Sequence, residues 1–173
     1  MLRTILIILG LLIAGILGFA ATRPKTFRVA RSKHIDAPPE RIQPYIADFH
    51  RWAEWSPYET LDPNMARTFS GAESGPGAVY EWSGDKAGAG RMEILQAETE
   101  QVGIDLQFTK PFAAHNQTLF TLAPSTGGTD VTWAMSGDMS YLMRVMCIFV
   151  SMDKLVGKDF ETGLANLKRV AQA

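Results

Sequence analysis

"YLMRVMCIFVSMDKLVGKDFETGLANLKRVAQA", residues 141–173, carries two patterns in one uninterrupted run. Val145, Phe149, Met152, Val156, Phe160, Gly163, Leu167 and Val170 recur at three and four residues, while Asp153, Lys154, Lys158, Asp159, Glu161, Lys168 and Arg169 mostly lie off that stripe. The spacing predicts a single helix of about 30 residues, Tyr141 to Ala171, pressing one apolar face onto a sheet. Gly163 inside the stripe costs about 1 kcal/mol of helix propensity against Ala, and close approach to a strand backbone is the expected compensation. The first twelve residues differ: Arg144 is their one charge, and apolar side chains surround the helix. A helix of that kind is enclosed by protein or by lipid.

The sheet that such a stripe requires is legible upstream. "TFRVARSKHI" (26–35) reads as a first strand, and "DAPPE" (36–40) as a turn with proline near the first turn of a helix through "ERIQPYIADF". "HRWAEWSPYE" follows as a short helix or turn stopped by Pro57. From Met65 the period switches from helical to alternating, with turns at "SGPG", "GDKAGAG", "KPFAAHN" and "PSTGG", which makes a meander of about six strands. One face collects Tyr80 and Trp82; Met92, Ile94 and Gln96; Ile104, Leu106 and Phe108; Thr118, Phe120 and Leu122; Val131, Trp133 and Met135. The other collects Glu81, Arg91, Glu93, Asp105, Gln107, Thr121, Asp130 and Thr132, the signature of an antiparallel sheet with one wet face. Glu81 and Arg91 are placed to pair across neighbouring strands on that wet face.

Composition bounds the function. A 173-residue chain with 46% hydrophobic content supports one ordinary core, assigned to residues 26–173, with residues 1–25 as a separate anchor and linker. Arg3, Arg23 and Lys25 are the charges of that first segment, so the remainder is mildly acidic, which argues against nucleic acid. The lone Cys147 excludes an intramolecular disulfide and a cysteine zinc site. Ile5 to Ala21 is 17 uninterrupted apolar or Gly residues, about 26 Å as a helix, at the short edge of a bilayer span. A signal peptide is the competing assignment, since Gly18-Phe19-Ala20 resembles a cleavage site, although the apolar run exceeds the usual ~7–15 residues. Arg23, Lys25, Arg28, Arg31 and Lys33 against Arg3 favour a cytosolic domain.

Element order and several motifs together point further. "APPERI" (37–42), "DFHRWAEWSPYETLDPNMARTFSG" (48–71), "GPGAVYEWSG" (75–84), "GRMEI" (90–94), "TKPF" (109–112), "VTWAMSG" (131–137) and "GKDFETGLANLKR" (157–169) resemble the START, polyketide cyclase/dehydrase and plant pollen-allergen (SRPBCC) superfamily. Within it, they are most similar to a membrane-anchored bacterial branch, over roughly residues 26 to 171. The resemblance implies an α+β helix-grip fold: a curved antiparallel sheet wrapped around a long C-terminal helix, here preceded by a transmembrane helix. It also implies an apolar cavity opening near "KPFAAHN" and "SYLMRVM", and a single-pass protein of the bacterial inner membrane. Because the superfamily includes carriers, cyclases and receptors, it does not fix activity.

The expected ligand is a lipid, isoprenoid or polyketide-like molecule lined by Tyr80, Trp82, Met92, Ile94, Phe108, Phe112, Phe120, Trp133, Met135, Met146, Phe149 and Met152. Met139, Met143, Met146 and Met152 would make that lining adaptable. Trp52 and Trp55 read either as an interfacial belt or as anchors pinning the short helix to the sheet edge. No catalytic residue, metal or cofactor is assigned. His34, His50 and His115 lack a zinc or triad spacing, the serines lack a nucleophile elbow, and the inward set holds Gln96, Thr118 and Tyr80 but no carboxylate. Glu54, Tyr58, Glu59, His115 and Asp138 stand near strand ends, where they can intrude. Binding therefore ranks above an aromatase/cyclase-type enzyme, and a filled-core envelope or stress interaction module is the third alternative.

Overall fold

The computed structural model describes residues 1–173. An N-terminal helix α1 (Leu2–Thr22) precedes strand β1 (Thr26–Ile35), helix α2 (Pro39–Ala47), a 3-10 turn (Phe49–Glu54) and the short helix α3 (Tyr58–Leu61). Six strands follow: β2 (Ala66–Gly71), β3 (Ala78–Ser83), β4 (Ala89–Glu98), β5 (Gln101–Lys110), β6 (Ala114–Ser125) and β7 (Gly128–Asp138). Helices α4 (Tyr141–Met146) and α5 (Met152–Gln172) close the chain. All pairings are antiparallel in the order β1-β7-β6-β5-β4-β3-β2, so each meander strand lies beside its sequence neighbour and β1 joins the far edge.

Strand parity survives folding with one correction. Tyr80, Met92, Ile94, Ile104, Leu106, Phe120, Leu122, Val131, Trp133 and Met135 are all buried on the inner face. In β4, Ile94 pairs with Ile104 but Gln96 pairs with Gly103, so Leu95 is an unpaired bulge. An extra residue reverses the side-chain alternation beyond it. Gln96 therefore leaves the inner face and bonds Glu98 (3.0 Å) and Gln101 (3.3 Å), while Ala97 packs on the core. The Glu81–Arg91 pair is also corrected: the two residues are in register, but Arg91 reaches Glu93 on its own strand at 2.7 Å.

Five aromatic rings hold the sheet to the helices. Trp133 on β7 stacks on Phe160 of α5, centroids 4.2 Å apart and nearly parallel, with Phe120 of β6 at 5.0 Å. Trp55 and Tyr58 meet the Trp133 ring edge-on. Trp52 and Trp55 are thus in the middle of the core rather than at the sheet edge or in lipid, with indole N–H groups donating to the carbonyls of Ile46 (3.0 Å) and Tyr45 (2.9 Å). On the solvent side Arg31 of β1 bridges to Asp153 (2.8 Å) and Glu161 (2.6 Å), clamping α5 along the strand.

The 30-residue helix is two helices. The chain leaves helical geometry after Met146, and Ser151, in extended conformation, caps α5 by accepting from Lys154 N–H (3.3 Å). β-branched Ile148 and Val150 lower propensity across the gap. The break frees α4 from the axis of α5, and α4 turns to the end of α1. Tyr141 OH donates to Leu17 O (2.7 Å), and Arg144 Nη1 donates to Ala21 O (3.2 Å). The single charge of the apolar run thereby satisfies carbonyls that a helix C-terminus leaves without intrahelical partners. The rest of α1 is exposed apart from half-buried Ile16 and buried Ala20, and its length and mean hydropathy of 2.7 suit a membrane crossing.

Gly163 faces a ring rather than a strand backbone: a Cβ there would lie 2.7 Å from Cζ3 of Trp133 and 3.1 Å from Cδ of Pro57. Gly163→Ala is expected to lower stability by about 1–2 kcal/mol by overpacking, despite alanine's better helix propensity. Gly157→Ala, which crowds only the flexible end of Arg31, is expected to cost less. Urea denaturation of both variants checks the order.

Candidate functional site

Between the sheet and α5 the core does not close. An inner chamber of about 260 Å³ is walled by β3–β7, by Val156 and Phe160 of α5, and by the segment from Trp52 to Met65. An outer chamber of about 250 Å³ lies between the β5–β6 turn, α4 and the start of α5. Phe108, Met135 and Val156 belong to both, so the chambers adjoin. Together they reach the lower half of the ~300–1,000 Å³ usual for small-molecule sites.

Tyr80, Trp82, Met92, Phe108, Trp133 and Met135 line the inner chamber, and Phe112, Met146 and Met152 join Phe108 and Met135 around the outer one. Three expected residues do not line either chamber. Ile94 and Phe120 are fully buried in the packed core, because the inner face extends past the cavity. Phe149, assigned to the α5 stripe, lies in the break between helices and is 69% exposed. The wall supplied by Trp52, Ser56, Tyr58, Glu59, Leu61 and Met65 was not anticipated as a unit. It is built from a 3-10 turn and a four-residue helix, which have no periodicity to read. The turn at Asp48, whose carboxylate accepts from His50 N–H (2.9 Å), and the Trp52 and Trp55 bonds to α2 fold it over the sheet.

That wall brings the carboxylate that strand parity lacked. The Glu59 side chain is 8% exposed; Oε2 accepts from Arg67 Nε (2.7 Å) and Oε1 from Tyr80 OH (2.7 Å). Arg67 also donates to the carbonyls of Met65 (3.0 Å) and Glu59 (3.1 Å). Burial, then the bond to Glu59, pushes the Tyr80 phenol well above its ordinary range, and burial, with Asp159 nearby, does the same for Tyr58. Neither phenol ionises at neutral pH. Of the other candidates for intrusion, Asp138 borders the outer chamber, Glu54 pairs with Arg51 outside it (3.2 Å), and His115 bonds Asp105 on the outer face of the sheet. His34 likewise bonds Asp130 there (2.8 Å), and His50 bonds Asp48 (3.0 Å).

Not all polar atoms in the wall are engaged. Trp52, Trp55 and Trp82 each donate to a backbone carbonyl, but the Nε1–H of Trp133 and the Oγ of Ser56 have no protein partner, although each residue is 3% exposed.

A curved antiparallel sheet closed by a C-terminal helix over an apolar cavity defines an α+β helix-grip domain. The chain belongs to the polyketide cyclase / dehydrase and lipid transport family, whose profile matches residues 26–172. Among solved structures it is similar to protein CV1439 from Chromobacterium violaceum, 21% identical, covering 87% of this chain and 99% of that one at a TM-score of 0.59. It is also similar to protein MLL2253 from Mesorhizobium loti, at 21% identity, 84% and 97% coverage and a TM-score of 0.60. Ara h 8.0201, 11% identical, aligns over 85% of this chain and 98% of its own with a TM-score of 0.51. At these identities the likeness concerns the fold. No curated protein matches the chain.

Asp62, at the end of α3, accepts from Lys86 N–H (2.9 Å) and so ties the β3–β4 turn, with Ala87, into the chamber wall. Backbone donors, led by that of Lys86, hold its carboxyl below the usual carboxylate range. A depressed pKa contributes stability that is present above the unfolded value of ~3.9 and is lost as pH falls through the folded value. Asp62→Asn is therefore expected to be less stable at neutral pH and to lose less stability than the parent on acidification toward about pH 3. Thermal melts across that range check it.

Proposed function

We propose that this protein is a membrane-tethered binder of a hydrophobic small molecule, held between the sheet and α5, with α1 as its single-pass anchor. The observation that carries the reading is the adjoining pair of chambers, 14 of whose 17 inner lining residues are hydrophobic. Membership of a family described by polyketide cyclisation and lipid transport supports it. The placement of the outer chamber supports the tether. Leu142, Met143 and Met146 of α4 wall that chamber, and α4 is the helix bonded to the end of α1. Leu142, Met146, Phe149, Val150 and Phe112 are exposed around it, an apolar rim suited to an interface with lipid. Tethering raises the local concentration of a membrane-resident ligand without demanding high intrinsic affinity.

The enzyme alternative draws on Glu59, the one carboxylate in the inner wall. Both of its oxygens are already engaged by Arg67 and Tyr80, which favours a structural ion pair over a free general base.

Full-length protein purified gently from membranes is expected to carry extractable apolar molecules in native mass spectrometry. Val156→Trp, which places a ring where the two chambers meet, is expected to reduce that load at least tenfold while far-UV circular dichroism stays native. A parent protein that arrives empty and takes up no apolar probe would overturn the reading in favour of an interaction module.

A further inference from the structure

Outside α1, large apolar side chains are exposed singly at Leu61, Phe69, Leu95 and Leu119, and together in one patch. The patch comprises Phe112 of the β5–β6 turn and Leu142, Met146, Phe149 and Val150 of α4 and the break after it, each 43–69% exposed. Phe112, Leu142 and Met146 also wall the outer chamber. The N–H groups of Phe149 and Val150 bond to Met146 O (3.0 and 3.2 Å), which folds the break against the end of α4. Exposed apolar surface is thus gathered at the outer chamber, where contiguous patches mark an interface.

The length of α1 sets the depth of that patch. The apolar run Ile5–Ala21 extends about 26 Å as a helix, against a hydrocarbon core of ~30 Å, so a spanning α1 has no apolar residue to spare. Ala21 then lies at the hydrocarbon boundary, and Leu17, one turn deeper, about 6 Å inside it. Tyr141 OH donates to Leu17 O and Arg144 to Ala21 O, so α4 is held at the level of that boundary. Sliding α1 outward to lift α4 into water would draw Arg3 and the N-terminal amine into hydrocarbon, which is costly. Tyrosine with its hydroxyl bonded, and arginine reaching toward the surface, are side chains suited to this layer.

Charge agrees with depth. Arg23 and Lys25 follow α1, Lys110 borders the outer chamber, and Lys154 stands in the first turn of α5; none of the four has a carboxylate partner. Asp138 is the one carboxylate bordering that chamber, and Asp153 is taken by Arg31. The excess of positive charge complements anionic headgroups.

We propose that the domain lies mouth-down on the bilayer that α1 crosses, with Phe112, Leu142, Met146, Phe149 and Val150 set into the boundary between headgroups and acyl chains, so that the outer chamber opens onto lipid. The proposal rests on the anchor role given to α1 above, and adds the face of the domain that meets the membrane and the phase onto which its cavity opens.

The test places full-length protein, one copy per nanodisc, in three parts phosphatidylethanolamine to one part phosphatidylglycerol, with Cys147→Ser removing the native thiol. Nitroxide labels at Leu12→Cys, Thr99→Cys, Phe112→Cys and Phe149→Cys, all exposed positions, are compared by power-saturation EPR, with oxygen as the lipid-soluble relaxant and a nickel chelate as the aqueous one. Leu12 reports on α1, and Thr99 lies in the β4–β5 turn, at the opposite end of β5 from Phe112. Phe112 and Phe149 are expected to fall with Leu12 on the lipid side, with nickel access at least fivefold below that at Thr99. Access like that of Thr99, or access to neither relaxant, at Phe112 or Phe149 while Leu12 is in lipid would sink the docking and leave the anchor and the cavity standing. Leu12 in water would remove the anchor and the docking with it. Shielding of the patch that arises only when two copies share a disc would assign it to a second copy of this chain and equally overturn the proposal.

Discussion

The stack of Phe120, Trp133 and Phe160 sets the distance at which everything else is built. Trp133 lies between a strand neighbour and a helix residue, and its ring occupies the space that a side chain at position 163 would need. Aromatic pairs of this kind contribute about 0.5–1.5 kcal/mol beyond the area they bury. Their larger consequence is geometric. With the ring flat against Phe160, α5 crosses the sheet at one fixed height, Trp55 and Tyr58 fit against its edges, and the region beyond, toward Phe108 and Met135, is left spanned but unfilled.

The break between α4 and α5 lets one apolar stretch serve two environments. A continuous helix would carry Tyr141–Met146 outward along the axis of α5. Ser151 starts α5 afresh, and α4 is released to wall the outer chamber with one side and meet α1 with another. Arg144 is the one charge this arrangement needs, because the end of α1 presents carbonyls without helical partners, and the Tyr141 hydroxyl adds a bond to Leu17 O. A helix with one face on a cavity, one on another apolar helix and one exposed among apolar neighbours has no need of a polar side.

Polar groups in the cavity fall into two kinds that the physics of burial separates. Glu59, Arg67 and Tyr80 satisfy one another, which offsets the cost of burying a carboxylate in an apolar wall. Trp133 and Ser56 are individually cheaper to bury, being neutral, and their Nε1–H and Oγ are buried without a protein partner.

Much of this was legible in residues alone. Period-two alternation is a local property of the extended chain, so the strands, their inner face and the lining residues Tyr80, Trp82, Met92, Phe108, Trp133 and Met135 could be read directly, as could the apolar α1 and the α5 stripe, whereas Ile94 and Phe120 share that face but lie in the packed core beyond the cavity. What escaped were features settled by long-range partners. The bulge at Leu95 shows only against β5, and it moved Gln96 off the inner face. The helix break, and with it the exposure of Phe149, reflects competition between helix propagation and a cap at Ser151 that pattern does not resolve. The Trp52–Met65 wall has no period, and its place over the sheet is decided by indole bonds to α2. By itself the sequence determined the fold and the apolar character of its interior, because burial demands a pattern. Only the tertiary structure decided where the interior stays open and which polar residues border the opening, because those follow from how rigid rings and short, aperiodic segments happen to pack.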